Sequence, residues 1–322
     1  MEHLFNKLNE IINEYDNFIV MGHKDPDLDS LGSSLGLCEI IESFNKKAYL
    51  FLNDKHLDDY NSNISQAFQS FEKMKKDIVC VNQRSYRKIK GDTLLIVVDV
   101  HSQDRLEYPE LVNIYDTIVL DHHIKNKDYI KDTKFLYVDS NLSSMSELIT
   151  YYAEFVNIDL DNVIATILLA GIEIDTNGFN LKTTSSTYEA ASTLMEMGAD
   201  SILKQELLKE SKEEYMKRAT FIRNSFMATN NIAMCLINTE STTKELAEVA
   251  QELLTFEDVK ASFVIGKLDE NIIGVSARSL GHIDVSTTIK QLGGGGNSSN
   301  AAVQIKNKTL KEVKQEIIDM IK

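Results

Sequence analysis

Gly22-His23-Lys24-Asp25-Pro26-Asp27-Leu28-Asp29-Ser30 is the stretch from which the fold is read. It follows the apolar run Phe18-Ile19-Val20-Met21 and leads into Leu31-Gly32-Ser33-Ser34-Leu35, the start of a helical pattern. A strand that ends in His-x3-Asp-x-Asp and turns at once into a helix puts an imidazole and two carboxylates on one tight loop. In open α/β sheets the C-terminal strand edge is where ligands bind. Imidazole mixed with carboxylates suits a divalent ion of the Mn or Zn type better than Ca, which takes oxygen ligands. A second reading stays open here: Asp27 or Asp29 caps the helix N-terminus, and His23 is incidental.

Outward from that loop, short β-rich runs alternate with helical patterns. Strands are expected at 17–21, 48–52, 77–81, 94–99, 117–121 and 136–138, with helices at 2–15 and 31–44. Leu94–Val98 and 118–120 are continuously apolar, as strands covered on both faces of a parallel sheet are. The expectation is an α/β fold with a doubly wound, mainly parallel sheet over residues 1–184. Residues 185–228 read as a helical connector, with helices at 185–197, 201–208 and 212–224. From 229 to 322 a smaller mixed α/β domain is expected, with strands at 232–237, 262–267 and 272–278 and helices at 243–254, 285–291 and 310–321. In it, Gly293-Gly294-Gly295-Gly296 precedes Asn297-Ser298-Ser299-Asn300-Ala301-Ala302, which reads as a helix-like start. Backbone N–H groups of such a loop can cradle phosphate; the plain alternative is a flexible turn.

Composition narrows the function. Of 322 residues, 34 are Lys or Arg and 49 are Asp or Glu, a formal charge of −15. That opposes sequence-independent binding to duplex DNA or anionic membranes, which needs a broad basic surface. A small phosphorylated ligand stays admissible, because a local metal cluster reverses the field. No apolar run reaches the ~18 residues of a membrane span, and Met1-Glu2-His3-Leu4 lacks a signal-peptide pattern. Cys38, Cys80 and Cys235 sit apart in apolar runs and read as buried thiols of a cytosolic protein.

Three more segments repeat the design of the opening loop. Leu94–Val98 runs into Asp99, Val100 and His101; Ile118-Val119-Leu120 runs into Asp121-His122-His123; and Ala170-Gly171-Ile172-Glu173-Ile174 runs into Asp175. A single acid at such a position is usually a turn or cap residue. Clustered together, His23, Asp27, Asp29, Asp99, His122, His123 and Asp175 would carry several mutually repelling carboxylates, which divalent cations relieve. A two-metal site is the expectation.

These residues, Asp121-His122-His123 with His23-x3-Asp27-x-Asp29, Asp99 and Asp175, resemble the motif set of the DHH phosphoesterase superfamily. Ser276-Ala277-Arg278-Ser279 through the glycine run to Asn300-Ala301-Ala302 resembles its DHH-associated C-terminal domain. Within that group the chain is similar to the catalytic region of membrane-bound bacterial cyclic-di-AMP phosphodiesterases. The resemblance implies that His23 and Asp27 hold one Mn²⁺, that Asp29, His122 and Asp175 hold another, and that Asp99 bridges them. Attack on phosphorus by a hydroxide would follow, with Asp99 and His123 as catalytic residues and His123 facing the phosphate. Arg278, Ser279, Gly294, Gly295, Gly296 and Asn297 would bind substrate. The family reads histidine where this chain has Asn297, which removes a positive charge. The implied activity is cleavage of cyclic-di-AMP to pApA; the alternatives are an oligoribonuclease or pAp 3′-phosphatase on the same site, or a catalytically silent nucleotide sensor. The implied location is cytoplasmic, whether as a stand-alone protein or as the cytosolic part of a membrane-anchored one, and a homodimer is compatible.

Overall fold

The computed structural model describes residues 1–52, 62–73, 79–125 and 127–321. They form two compact units, Met1–Lys209 and Glu210–Lys322. The first contains α1 (Glu2–Glu14), β1 (Asn17–Met21), α2 (Leu28–Ser43), β2 (Lys47–Phe51), α3 (Ser62–Lys73), β3 (Val79–Val81), β4 (Thr93–Val98), β5 (Asp116–Asp121), β6 (Phe135–Val138), α4 (Met145–Phe155), α5 (Asn162–Asp175), α6 (Ser185–Glu196) and α7 (Ser201–Leu207). Residues 77 and 78 of the expected third strand lie outside the described residues.

Among the described residues the first unit's sheet is all parallel, in the order β3-β2-β1-β4-β5-β6. The chain moves outward from β1 to β3 and then returns to the other side of β1 as β4. The gap between β1 and β4 is therefore a topological switch point, where loops diverge and leave a crevice. Strand residues alternate between two apolar layers, as a period of two dictates. Phe18, Val20, Leu94, Ile96, Val98, Ile118 and Leu120 face the layer of α-helices. Ile19, Met21, Leu95, Val97 and Val119 face Tyr86, Leu106 and Leu111. Among the described residues this second layer is carried by 3₁₀ turns at Tyr86–Lys88, Gln103–Arg105 and Pro109–Asn113, not by α-helices. Winding on both sides of the switch point is kept, while the second covering layer is thin.

The start of α2 is set by Asp27, whose Oδ1 accepts from the N–H of Asp29 and of Ser30 at 3.0 Å each. The helix is buried nearly all round, which explains its weak amphipathic pattern. It packs on α5 through Gly32 and Gly36; a Cβ at Gly32 would meet the backbone N of Leu168 at 3.1 Å.

The second unit holds α8 (Lys212–Arg223), β7 (Phe226–Thr229), β8 (Ile232–Glu240), α9 (Thr243–Leu253), β9 (Ala261–Asp269), β10 (Ile272–Ser279), α10 (Val285–Gln291), β11 (Gly295–Gly296), β12 (Asn300–Lys306) and α11 (Leu310–Ile321). Its mixed sheet runs β11-β12-β10-β9-β8-β7, with only β8 and β9 parallel among the described strands. The stretch expected as a connector is helical, and its helices divide: α6 and α7 belong to the first unit and α8 to the second. One expectation is overturned. The glycine run does not open a helix; it leads through β11 into the strand β12. Ala301, Val303 and Ile305 are buried while Ala302, Gln304 and Lys306 are exposed, an alternation only a strand satisfies. Cys80 is also exposed, unlike Cys38 and Cys235.

Candidate active site

At the C-terminal ends of β1, β4 and β5 the polar residues of the first unit meet. His23 directly follows β1 and Gly22, and its Nδ1–H donates to the Lys24 carbonyl at 2.9 Å. That leaves Nε2 facing acids, 3.4 Å from Asp99 Oδ2 and 3.9 Å from Asp27 Oδ2. Such a backbone bond on the far nitrogen is how metal-binding histidines are oriented. Asp27 therefore serves as cap with Oδ1 and faces the site with Oδ2. The cap reading is realised on Oδ1, while Oδ2 is left facing His23.

Asp29 is fully buried. Its Oδ1 accepts from the N–H of Ser146 at 2.7 Å and its Oδ2 from that of Met145 at 2.8 Å, both at the N-terminus of α4. A helix N-terminus stabilises a carboxylate, so α4 fixes this acid against its neighbours. Asp99 follows β4 with φ +64, a left-handed conformation that is strained for a residue with a Cβ. Its N–H still donates to the Leu120 carbonyl at 2.9 Å, prolonging the β4–β5 ladder by one residue. Asp175 comes from the last turn of α5, not from a strand end. There the helix dipole disfavours an anion, unless a cation is near.

Asp99 divides its oxygens between two groups. Oδ2 faces His23, whereas Oδ1 lies 3.2 Å from His122 Nε2. The same His122 Nε2 is 3.0 Å from Asp175 Oδ2 and 3.8 Å from Asp29 Oδ2. Potential ligand atoms group as His23–Asp27–Asp99, Asp29–His122–Asp175 and Asp99–His122–His123, each within 4.8 Å.

The electrostatics express crowding. Burial drives the Asp29 carboxyl well above its ordinary range, and the charges of Asp175 and Asp99 push it further. Asp27 is raised by burial and then by Asp99 and Asp175. Burial pulls His23 down, but Asp99 and Asp27 outweigh it and lift the imidazole to about 9. His122 is raised against burial by Asp175, Asp99 and Asp29. Burial opposes ionisation of Asp99 too, yet His122 and His23 bring it to about 2.

Despite those short separations, Asp99 Oδ1 and both ring nitrogens of His122 are buried and make no hydrogen bond among the described residues. Buried polar atoms are rarely left this way, because each orphan costs about 1–3 kcal/mol. Coordination of a divalent ion satisfies Asp99 Oδ1 and His122 Nε2, so the residues present fit a metal.

His123 stands at the exposed edge of that cluster, its Nδ1 3.6 Å from Asp99 Oδ1. Its ring is 42% exposed, and its Nδ1 is 2.8 Å from Asp121 Oδ1, which also accepts the His123 backbone N–H at 3.0 Å. Asp121 Oδ2 meets Nδ1 of the buried His101. Burial opposes ionisation of Asp121, but His101 and His123 hold its carboxyl well below the ordinary range. The sequence reading names both at strand ends, Asp121 in the Asp121-His122-His123 motif, but gives neither a role.

In the second unit, Arg278, Gly294 and Gly295 line a cavity of about 490 Å³ with Thr243 and Ser276. The Arg278 guanidinium donates to the Ala277 carbonyl at 3.0 Å, and no carboxylate lies within ion-pair distance among the described residues. Burial lowers its pKa. Ser276 Oγ is buried without a partner among the described residues. Gly296, Asn297 and Ser279 do not line the cavity. Ser279 Oγ accepts from the N–H of Gly281 and Ile283. Asn297 Oδ1 accepts from Ser299 and Asn300, at 2.8 Å each, and so closes the β11–β12 turn.

Residues 17–172 match the DHH family, N-terminal domain, and residues 229–322 match the DHHA1 domain. The chain is 37% identical over 324 residues to a cyclic-di-AMP phosphodiesterase, GdpP, of Geobacillus thermodenitrificans, covering 98% of this chain and 48% of that protein. It thus spans about half the length of that relative. It is 26% identical over 323 residues to a bifunctional oligoribonuclease and PAP phosphatase, NrnA, of Mycoplasma genitalium, covering 97% of this chain and 95% of that one. Its fold is similar to that of an exopolyphosphatase-related protein from Bacteroides fragilis, with a TM-score of 0.78, 17% identity, and coverage of 99% and 96%.

Proposed function

For a chain that belongs to the DHH family and carries a DHHA1 domain, we propose hydrolysis of a phosphodiester in a small nucleotide, with cyclic-di-AMP cut to pApA as the leading reaction. The observation that carries this is the division of Asp99, with one oxygen toward His23 and Asp27 and the other toward His122, Asp175 and Asp29. Two divalent ions of the Mn²⁺ class would, when bound, supply Lewis-acid stabilisation of the attacking and leaving oxygens and acidify water. His23, Asp27 and Asp99 Oδ2 would hold one; Asp29, His122, Asp175 and Asp99 Oδ1 would hold the other. His123 keeps a ring nitrogen free to protonate the leaving oxygen. Arg278 offers a planar fork that matches phosphate oxygens and lacks a competing carboxylate.

The cyclic-di-AMP assignment draws support from the GdpP relative. The NrnA relative, which the chain matches along nearly its whole length, supports a second reading: short oligoribonucleotides or pAp on the same residues. Incubation with Mn²⁺ and, separately, cyclic-di-AMP, pApA and pAp distinguishes them. The leading reading expects cyclic-di-AMP to disappear as pApA accumulates. Consumption of pApA or pAp with cyclic-di-AMP untouched would replace it with the second. Tight nucleotide binding with no turnover of any of the three would point to a silent sensor.

A further inference from the structure

Asp121, at the end of β5, is fully buried and stands between two imidazoles. Its Oδ1 takes both the backbone N–H and the ring Nδ1 of His123, at 3.0 and 2.8 Å. Its Oδ2 takes Nδ1 of His101, which is buried just past β4. An ionised carboxylate only accepts, so each Nδ1 facing it carries a hydrogen. The consequence for His123 is a fixed ring orientation, with Nε2 as the nitrogen left outward on a 42% exposed side chain. Its neighbour His122 turns Nε2 instead into the buried acids.

His101 is too deep to touch a substrate, being 3% exposed behind Asp121. We propose that His101 is a positioning residue. By holding Asp121 Oδ2 it keeps Oδ1 aimed at both N–H groups of His123, and so presents His123 Nε2 to the leaving oxygen. This role rests on the phosphodiesterase reading above. In that reaction the oxygen of water bonds to phosphorus and the ester P–O bond breaks, its electron pair passing to the departing oxygen. His123, in its doubly protonated form, gives that oxygen its Nε2 proton and keeps the one on Nδ1, and a proton lost by the attacking water returns to Nε2 by way of solvent. A proton donor matters only when the departing oxygen is a poor leaving group, and that dependence separates positioning from a merely structural role.

The test compares His101→Asn, whose amide N–H replaces Nδ1, with His101→Gln, whose amide falls at the Nε2 position. Both are polar and similar in bulk, so a folding defect is shared and visible by thermal melting. Each Mn²⁺-loaded full chain is assayed on cyclic-di-AMP, which expels a ribose oxygen, and on bis(p-nitrophenyl) phosphate, which expels nitrophenolate. His101→Gln is expected to lose about 10- to 100-fold in kcat on the nucleotide, with KM within about twofold, and less than about threefold on the nitrophenyl ester. His101→Asn should recover most of the nucleotide rate. Equal losses on both substrates, equal losses in both variants, or no loss at all would overturn the role. A wild-type chain inactive on both substrates would instead overturn the phosphodiesterase reading, and this role with it.

Discussion

At the strand ends of the first unit, six Asp and His ligand candidates converge where water is largely excluded. In the second unit, one arginine and a glycine run line a cavity together with Thr243, Leu246 and Gln304. The first arrangement works against itself: Asp29 and Asp27 are pushed up by burial and by each other's neighbours, and Asp99 adopts a left-handed backbone. The second crowds no acids together, although Ser276 Oγ is buried without a partner among the described residues. Gly296 has φ +131 and a Cβ there would meet the Asn300 carbonyl at 2.2 Å, but the hairpin needs no ligand to satisfy it. The first region gathers like charges that a cation would relieve; the second leaves a guanidinium and a buried hydroxyl beside a cavity.

The largest effect that could break this contrast is loss of Asp99. Asp99→Ala should lower kcat on the order of 10³-fold or more, with the far-UV spectrum retained. Metal removal should tell the same story through stability. At a concentration 100 times its Kd, an ion binding only the folded state adds about 2.7 kcal/mol. For a unit of this size that is a fall in Tm of about 5–10 °C on chelation. The Asp99→Ala protein should melt at nearly one temperature with and without Mn²⁺. A full metal-induced rise in that variant would mean that Asp99 is not a ligand.

Next in size is the cation of the second unit. Hydrogen bonds to charged groups are worth about 1.5–3 kcal/mol, so Arg278→Ala should raise KM about 10- to 100-fold while leaving kcat and the Mn²⁺ response nearly untouched. Arg278→Lys, a point charge without the fork, should recover only part. A fall in kcat with KM unchanged would move Arg278 from substrate binding to the reaction itself and dissolve the contrast between the units.

Much of the first unit was legible because its signals are redundant. Continuous apolar runs mark β1, β4 and β5, and each ends in the acid or imidazole that the sheet then delivers to one edge. Asp175 was read from the same pattern although it ends a helix, since an apolar segment before an acid looks alike in both. The bond between Asp121 and His101 was not legible, because their positions differ by 20 in sequence and only adjacent strands bring them together. In the second unit the sequence leading into β12 reads as a helix start. Asn297-Ser298-Ser299-Asn300 resembles a capped turn, and the alternation of Ala301, Val303 and Ile305 begins only beyond it. The resemblance places Asn297 on the substrate; the turn engages its side-chain oxygen, a role no sequence pattern marks.

Gly171 gives a smaller test on the side of the metal ligands. It sits on α5 where a Cβ would meet Ser146 Oγ at 2.6 Å and the Asp29 Cα at 2.8 Å. Overpacking of this kind costs about 1–3 kcal/mol. Because the obstructing atoms are the backbone that carries Asp29, Gly171→Ala should weaken Mn²⁺ binding by calorimetry as well as lower Tm. A lower Tm with unchanged Mn²⁺ affinity would show that Asp29 tolerates displacement.

The smallest expected effect belongs to Asn297, and it sharpens the contrast most. If its side chain serves the turn, Asn297→Ala removes two backbone-capping bonds, worth on the order of 1 kcal/mol together in an exposed hairpin. KM for the nucleotide should then change by less than about twofold, and Asn297→Asp, which keeps the acceptor, should restore stability. A ligand role makes the opposite demand: Asp would add a negative charge beside phosphate and raise KM above the Ala value. The order of KM between Asp and Ala therefore decides the role, since turn closure asks only for an oxygen and phosphate binding cannot accept an anion.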